Sequence, residues 1–276
     1  MQLPACIAGS MLALIERLKQ TMAPKHDDGL ESAEHPAALL CEGVLRRLAH
    51  DLKSPLLTLV AYCHAIRQDC GDAVPESTKF MLDAIVKTAT KMDHRIKAVT
   101  QLAEALVGVP EKRVINLCNE VNLISANFVQ EVGNERISIH TEIHPAITVE
   151  FASGDLQYIV EELLRNASKF SDKHPVHVHV YAQVVCSWVS LKFADDGIGV
   201  ARRHGERLFE LFYRNNRDEE YDGDGAGLTI ARALAIRNNC TLTSHRSTQK
   251  MHSHAASHPI SALSKCCMPL PSEMDP

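Results

Sequence analysis

Leu82, Ile85, Ala89, Met92, Ile96, Val99, Ala103 and Leu106 follow one another at alternating steps of three and four without a slip. That spacing is a heptad seam, and it commits residues 77–107 to a helix whose apolar stripe needs a partner. Upstream, Leu45, Leu48, Leu52, Leu56, Leu59, Cys63 and Ile66 form a second helical stripe within residues 40–70. Between the two, the run Asp69 to Pro75 carries the Gly and Pro expected of a helix-helix turn. Two such helices bury their stripes poorly alone. Pairing of two copies into a four-helix bundle is the economical solution, so a homodimer is expected.

After Gly108 and Pro110 the pattern changes. Residues 114–117, 137–143, 176–183 and 188–193 read as strands, and residues 118–132 and 153–169 as helices. The expectation is an α+β fold: a helical hairpin forming the dimeric bundle, then an α/β sandwich in which helices cover one face of a mostly antiparallel sheet. The chain thus divides into residues 1–38 of unknown role, the hairpin 39–108, and the sandwich 109–276. Within the first segment Met11 to Thr21 is a short helix candidate, and Pro24 to Pro36 reads as loop.

A net charge of −5 offers no general attraction to a phosphate backbone, so nucleic acid is not an expected partner. Nine scattered cysteines without a C-x-x-C pair imply neither a disulfide framework nor a zinc knuckle, and reduced thiols are expected. The apolar run from Leu3 to Ile15 is broken by Gly9 and Ser10 and is shorter than the ~20 residues that cross a bilayer. No membrane insertion and a cytoplasmic location are expected.

His50 lies two residues past Leu48, about 200° around the helix, so its imidazole faces away from the apolar stripe. Asp51 beside it can polarise the ring or take its proton. Pro55 removes one helical hydrogen bond just beyond the His and should bend the helix there. On the later helix Glu162, Asn166 and Lys169 share a face. A Glu carboxylate and an Asn carbonyl are hard oxygen ligands suited to part of a Mg²⁺ shell, and Lys169 can neutralise phosphate. Asp195 with Gly197 and Gly199 follows a strand, where a carboxylate can accept an adenine amine. Gly223, Gly225 and Gly227 precede the apolar run from Leu228, a Gly-rich loop feeding a helix N-terminus suited to phosphate. Phe209 and Phe212 read as an anchor for an acidic loop over residues 214–222 that can act as a lid.

Each pattern is weak alone, but together and in this order they resemble the sensor histidine kinases of two-component signalling, from about residue 40 to the C-terminus. HDLKSPL at His50 matches the acceptor box and ELLRNASKFS the asparagine box. DDGIGV and GDGAGL match the two glycine boxes, and LFELFYR the phenylalanine box. The resemblance implies a Bergerat-type ATP-binding domain whose γ-phosphoryl group goes to His50, with Asp51 assisting. It further implies Mg²⁺ held by Asn166 and Glu162, and Lys169 on phosphate. Asp195 would take adenine in a pocket shaped by Gly197 and Gly199, and Gly223, Gly225, Gly227 and Leu228 would form the phosphate loop. The phosphoryl group would then pass to an Asp of a response-regulator receiver domain. Ser54, four residues past the His, is where the family orients water for dephosphorylating the regulator.

The chain departs from the family in its third part. Arg237-Asn-Asn239 stands where His-Gly-Gly is usual, the lid is short, and His245, His252, His254 and His258 precede Cys266 and Cys267 in spacings that match no tetrahedral metal signature. Leu270-Pro271 resembles the final strand ending. A degenerate kinase acting as a dimeric binding or sequestering module is the alternative reading. A chaperone, DNA-repair or anti-sigma member of the same ATPase superfamily is a third, but it has no use for HDLKSPL on a heptad hairpin.

Overall fold

The computed structural model describes residues 35–185, 187–200, 205–214, 223–245 and 262–269. The chain divides into two compact units, residues 1–38 and 39–276. The expected Met11–Thr21 helix lies outside the described residues.

Helix α1, His35–Cys70, already includes His35 and Pro36 and runs as helix through Pro55. A tight turn at Gly71–Ala73 returns the chain into α2, Glu76–Val107. Gly71 takes a φ of 49° there. Leu56, Cys63, Leu82 and Ala89 are buried between the two helices, whereas Leu48, Leu52, Leu59, Ile66, Ile85 and Met92 each stay more than two-fifths exposed. The seam is therefore split within one copy: part closes the hairpin, and part lines an open groove of about 280 Å³ that includes Leu59, Ile85 and Met92.

Strand β1, Arg113–Asn116, is followed by α3, Leu117–Val132, β2, Ile137–Glu142, and β3, Thr148–Phe151. The Asn116 side chain accepts from the Asn119 amide at 3.0 Å and so caps α3. Helix α4 is Ser153–Lys169, and β4, Val176–Val185, and β5, Trp188–Asp195, form the next hairpin. A 3-10 turn at Glu206–Phe209 leads towards α5, Gly227–Arg237, then β6, Thr241–His245, and β7, Ala262–Pro269. The main sheet runs β2-β4-β5-β7-β6; β2 and β4 are parallel and every other pair is antiparallel. A separate antiparallel pair joins β1 to β3.

The helices α3, α4 and α5 cover one face of this sheet. Leu117, Val121, Leu156, Ile159, Val160 and Leu164 meet Val176, Val178, Val180, Val189 and Leu191 in one apolar cluster, all nearly inaccessible. Strand β4 alternates, with Val178 and Val180 inward and His177 and His179 outward, as a half-covered sheet requires.

Two expectations need correction. Leu117 starts a helix rather than ending a strand, because Asn116 caps there. The last described strand is Ala262–Pro269, and Leu270 and Pro271 lie outside the described residues. Cys63, Cys70 and Cys118 are free thiols, but buried Cys240 is disulfide-bonded, so reduced thiols do not hold throughout. No described helix is long and apolar enough to cross a membrane.

Candidate active site

Helix α4 buries Leu156, Ile159, Val160, Leu163, Leu164 and Ala167 on one side. The spacing of 158, 162, 166 and 169 therefore sets Tyr158, Glu162, Asn166 and Lys169 on a common flank. The Asn166 amide nitrogen donates to the Glu162 carbonyl at 2.8 Å and to its carboxylate Oε1 at 2.9 Å. Both bonds use the nitrogen, leaving the amide oxygen outside them. Burial pushes the Glu162 carboxyl above its ordinary value, against the opposing pull of the Asn166 hydrogen bond and of Arg165 and Lys169. Burial, then the charge of Glu162, pushes the Tyr158 phenol up to about 12. Lys169 Nζ lies 4.6 Å from the centre of the Phe170 ring.

The glycine loop meets this flank directly. A side chain at Gly227, the first residue of α5, would run into the Glu162 carboxylate and displace it, so glycine lets the helix start against that group. Gly225 has φ 70°, and a Cβ there would sit 2.6 Å from the Tyr213 carbonyl oxygen. Its own carbonyl accepts from the Phe212 amide at 2.9 Å. A Cβ at Gly223 would lie 2.6 Å from Lys169 Nζ. Leu228 is half-buried against the core and anchors the first turn. The first-turn amides and the positive end of the α5 dipole thus converge with Lys169, an arrangement that favours an anion.

Asp195 ends β5 and accepts from the Gly197 amide at 3.0 Å. A Cβ at Gly197 would approach the Phe170 carbonyl to 2.6 Å, and Ile198 donates to that carbonyl at 3.0 Å, so the turn lies on the end of α4. Gly199 has φ 71°. The neighbouring Asp196 secures the turn to β4, because Lys173 Nζ donates to it at 3.0 Å and the His177 amide at 2.8 Å. With Asp196 committed to that turn, Asp195 is the candidate for a ligand-facing role.

His50 is 85% exposed on α1, with Nδ1 3.3 Å from the Asp51 carboxylate, itself 64% exposed. Ser54 is exposed, and its carbonyl accepts from the Thr58 hydroxyl at 3.1 Å. Among the described residues, no hydrogen bond or ion pair joins His50 to Glu162, Asn166 or the glycine loop. Instead α2 reaches the loop: His94 Nδ1 is 3.4 Å from the Asp224 carboxylate, and the Arg95 guanidinium sits 5.2 Å over the Phe212 ring. Phe212 itself has φ 63°, unusual for a bulky residue, and Phe209 is buried.

Sequence reasoning passes over Tyr158, although its place four residues before Glu162 puts it on the same flank. It also passes over His94 and Arg95, which sit between heptad positions and carry no signal of a contact so distant in sequence. The lid residues 215–222 and His252, His254 and His258 lie outside the described residues. Among the described residues, no group of three or more His, Cys, Asp or Glu side chains forms a metal site.

Residues 152–254 match the family described as histidine kinase-, DNA gyrase B- and HSP90-like ATPase. The chain is 27% identical over 207 residues to the histidine protein kinase SaeS of Staphylococcus aureus, covering 72% of this chain and 58% of SaeS. It thus spans little more than half of that relative. The Acinetobacter baumannii histidine kinase AdeS shares the fold with a TM-score of 0.53 at 15% identity, over 81% of this chain and 98% of that one. Full-length ShkA in complex with AMPPNP shares it with a TM-score of 0.57 at 18% identity, over 83% of this chain and 46% of that one. Residues 152–254 therefore carry an ATPase domain of the histidine kinase-, DNA gyrase B- and HSP90-like kind, and the chain is similar in sequence and in fold to histidine kinases.

Proposed function

We propose that this chain is an ATP-dependent protein histidine kinase that phosphorylates His50 and passes the phosphoryl group to an Asp of a response-regulator receiver domain. In this reading residues 39–108 are the dimerisation and phosphotransfer hairpin and residues 109–276 the catalytic domain. The observation that carries it is a displayed imidazole beside Asp51 in the same chain as a carboxylate, an amide and three glycines gathered at a helix N-terminus.

With the proton on Nδ1, facing Asp51, the lone pair lies on Nε2. As the N–P bond forms, the bond from phosphorus to the leaving ADP oxygen breaks. Asp51 offsets the positive charge that develops on the ring and takes the Nδ1 proton. On the donor side Asp195 accepts the adenine amine, Lys169 and the α5 amides hold phosphate oxygens, and the glycines let the backbone close on them.

Glu162 and the Asn166 oxygen fit Mg²⁺: both are hard oxygen donors, and a buried carboxyl pushed towards neutrality gains from a cation beside it. Bound there, the ion would neutralise charge on the β- and γ-phosphates. Ser54, exposed one turn beyond His50, is placed to orient water during dephosphorylation of the regulator. The apolar groove of the hairpin is the surface on which two copies pair.

Incubation with γ-labelled ATP is expected to give an acid-labile, alkali-stable label that His50→Gln abolishes and Asn166→Ala cuts strongly. Label persisting in the His50 variant would overturn the assignment. A protein that dimerises and binds a regulator without label would instead be the sequestering module.

A further inference from the structure

The family's usual His-Gly-Gly turn is replaced here by Arg237-Asn-Asn239, and those residues make a junction. Arg237 closes α5 and grips Asp155, in the first turn of α4, through two nitrogens: Nε donates at 2.7 Å and Nη2 makes the second bond. Asp155 is buried, and it also accepts from the Asn238 amide at 2.6 Å. Asn238 is fully buried, with its oxygen taking the Ala152 amide at 3.1 Å. The guanidinium is therefore held from behind, in the fork geometry that suits a carboxylate.

Its remaining nitrogen, Nη1, donates to the Glu104 carbonyl at 3.2 Å. Glu104 belongs to the last turn of α2, where carbonyls lack helical partners and the helix dipole favours a cation. The same carbonyl takes the Gly108 amide at 2.9 Å, and the Glu104 carboxylate takes Arg46 of α1 at 3.1 Å. One residue thus joins both hairpin helices to the sandwich. The covalent connection from α2 to β1 is only residues 108–112. Helix α5 is about 16 Å long, with Arg237 at one end and the phosphate loop at the other.

We infer that Arg237 is a positioning residue. It turns the connection between hairpin and sandwich into a defined pivot, and so sets where the phosphate loop stands relative to His50, without itself holding nucleotide. The inference rests on the proposed kinase reading. Phosphoryl transfer depends on geometry at the ångström level, so loosening the pivot slows transfer while leaving the ATP pocket intact.

Two variants attack the junction from opposite sides. Gly108→Ala places a methyl 2.7 Å from the Glu104 carbonyl oxygen and 3.1 Å from Arg237 Nη1, and so disturbs the contact without touching the sandwich core. Arg237→Lys keeps a cation for Asp155 but loses the fork that reaches Glu104 at the same time. In the full chain, ATP affinity measured by calorimetry with magnesium is expected to stay within about 2-fold for both. The single-turnover rate of His50 labelling is expected to fall about 10-fold or more. Unchanged labelling in both variants overturns the inference, as does a loss of ATP affinity matching the loss of rate. A parent chain that binds ATP but never labels His50 overturns the kinase reading instead.

Discussion

Glu162 is asked to be two things. It lies against Gly227 and accepts from Asn166, yet its surroundings disfavour its charge. An acid whose carboxyl is raised in the folded state lends stability that is fully present below its ordinary value of 4.5 and is lost as pH rises through the raised value. Replacement by Gln keeps the acceptor for Asn166 and removes the titration. Without magnesium and nucleotide, Glu162→Gln is expected to melt above the parent at neutral pH, with the gap narrowing as pH falls towards 4.5 and closed below it. With both ligands present the order should reverse, since the variant has no carboxylate for the ion. Parallel melting curves from pH 4 to 8 check this: a variant that melts lower at pH 7 without ligands would overturn the burial argument, and one that still melts above the parent with both ligands would remove Glu162 from the proposed metal shell. Residue by residue, the grouping of Glu162, Asn166, Lys169 and the glycine loop was legible because these groups are close in sequence on α4, or are glycines whose spacing shows. The junction at Arg237 was not, since its partners Asp155 and Glu104 lie 82 and 133 residues away in the chain.

At the level of elements, periodicity carried most of the information. Helix α4 coincides with its expected span, and α3, β2, β4 and β5 differ at their ends. Strand β3 escaped notice because four residues, Thr148–Phe151, are too few to show alternation, and they pair only with short β1. The heptad was visible as a stripe, but which of its residues close the hairpin depends on how α1 lies against α2. Ile85 and Met92 remain exposed while Leu82 and Ala89 do not. Half-removing such a side chain from water contributes on the order of 1 kcal/mol, so the groove gains by taking a second copy. Ile85→Glu is expected to give monomers by analytical ultracentrifugation while ATP affinity is unchanged, because the apolar cluster under the sheet is left alone. A variant that still sediments as a dimer would place the interface elsewhere.

On the scale of the whole molecule, β7 follows β6 in the chain yet lies between β5 and β6, bonded to both. β6 has no other strand neighbour among the described residues. A growing polypeptide therefore cannot close this sheet in the order in which it is made: everything through His245 must wait for residues 262–269 to be wedged into a vacant slot. Such late, long-range insertion is intrinsically slow. A chain stopped at residue 261 should emerge without a sharp, single calorimetric transition, and a separately supplied peptide spanning 262–276 should restore it; a truncated chain that melts as cooperatively as the parent would mean the slot can heal itself.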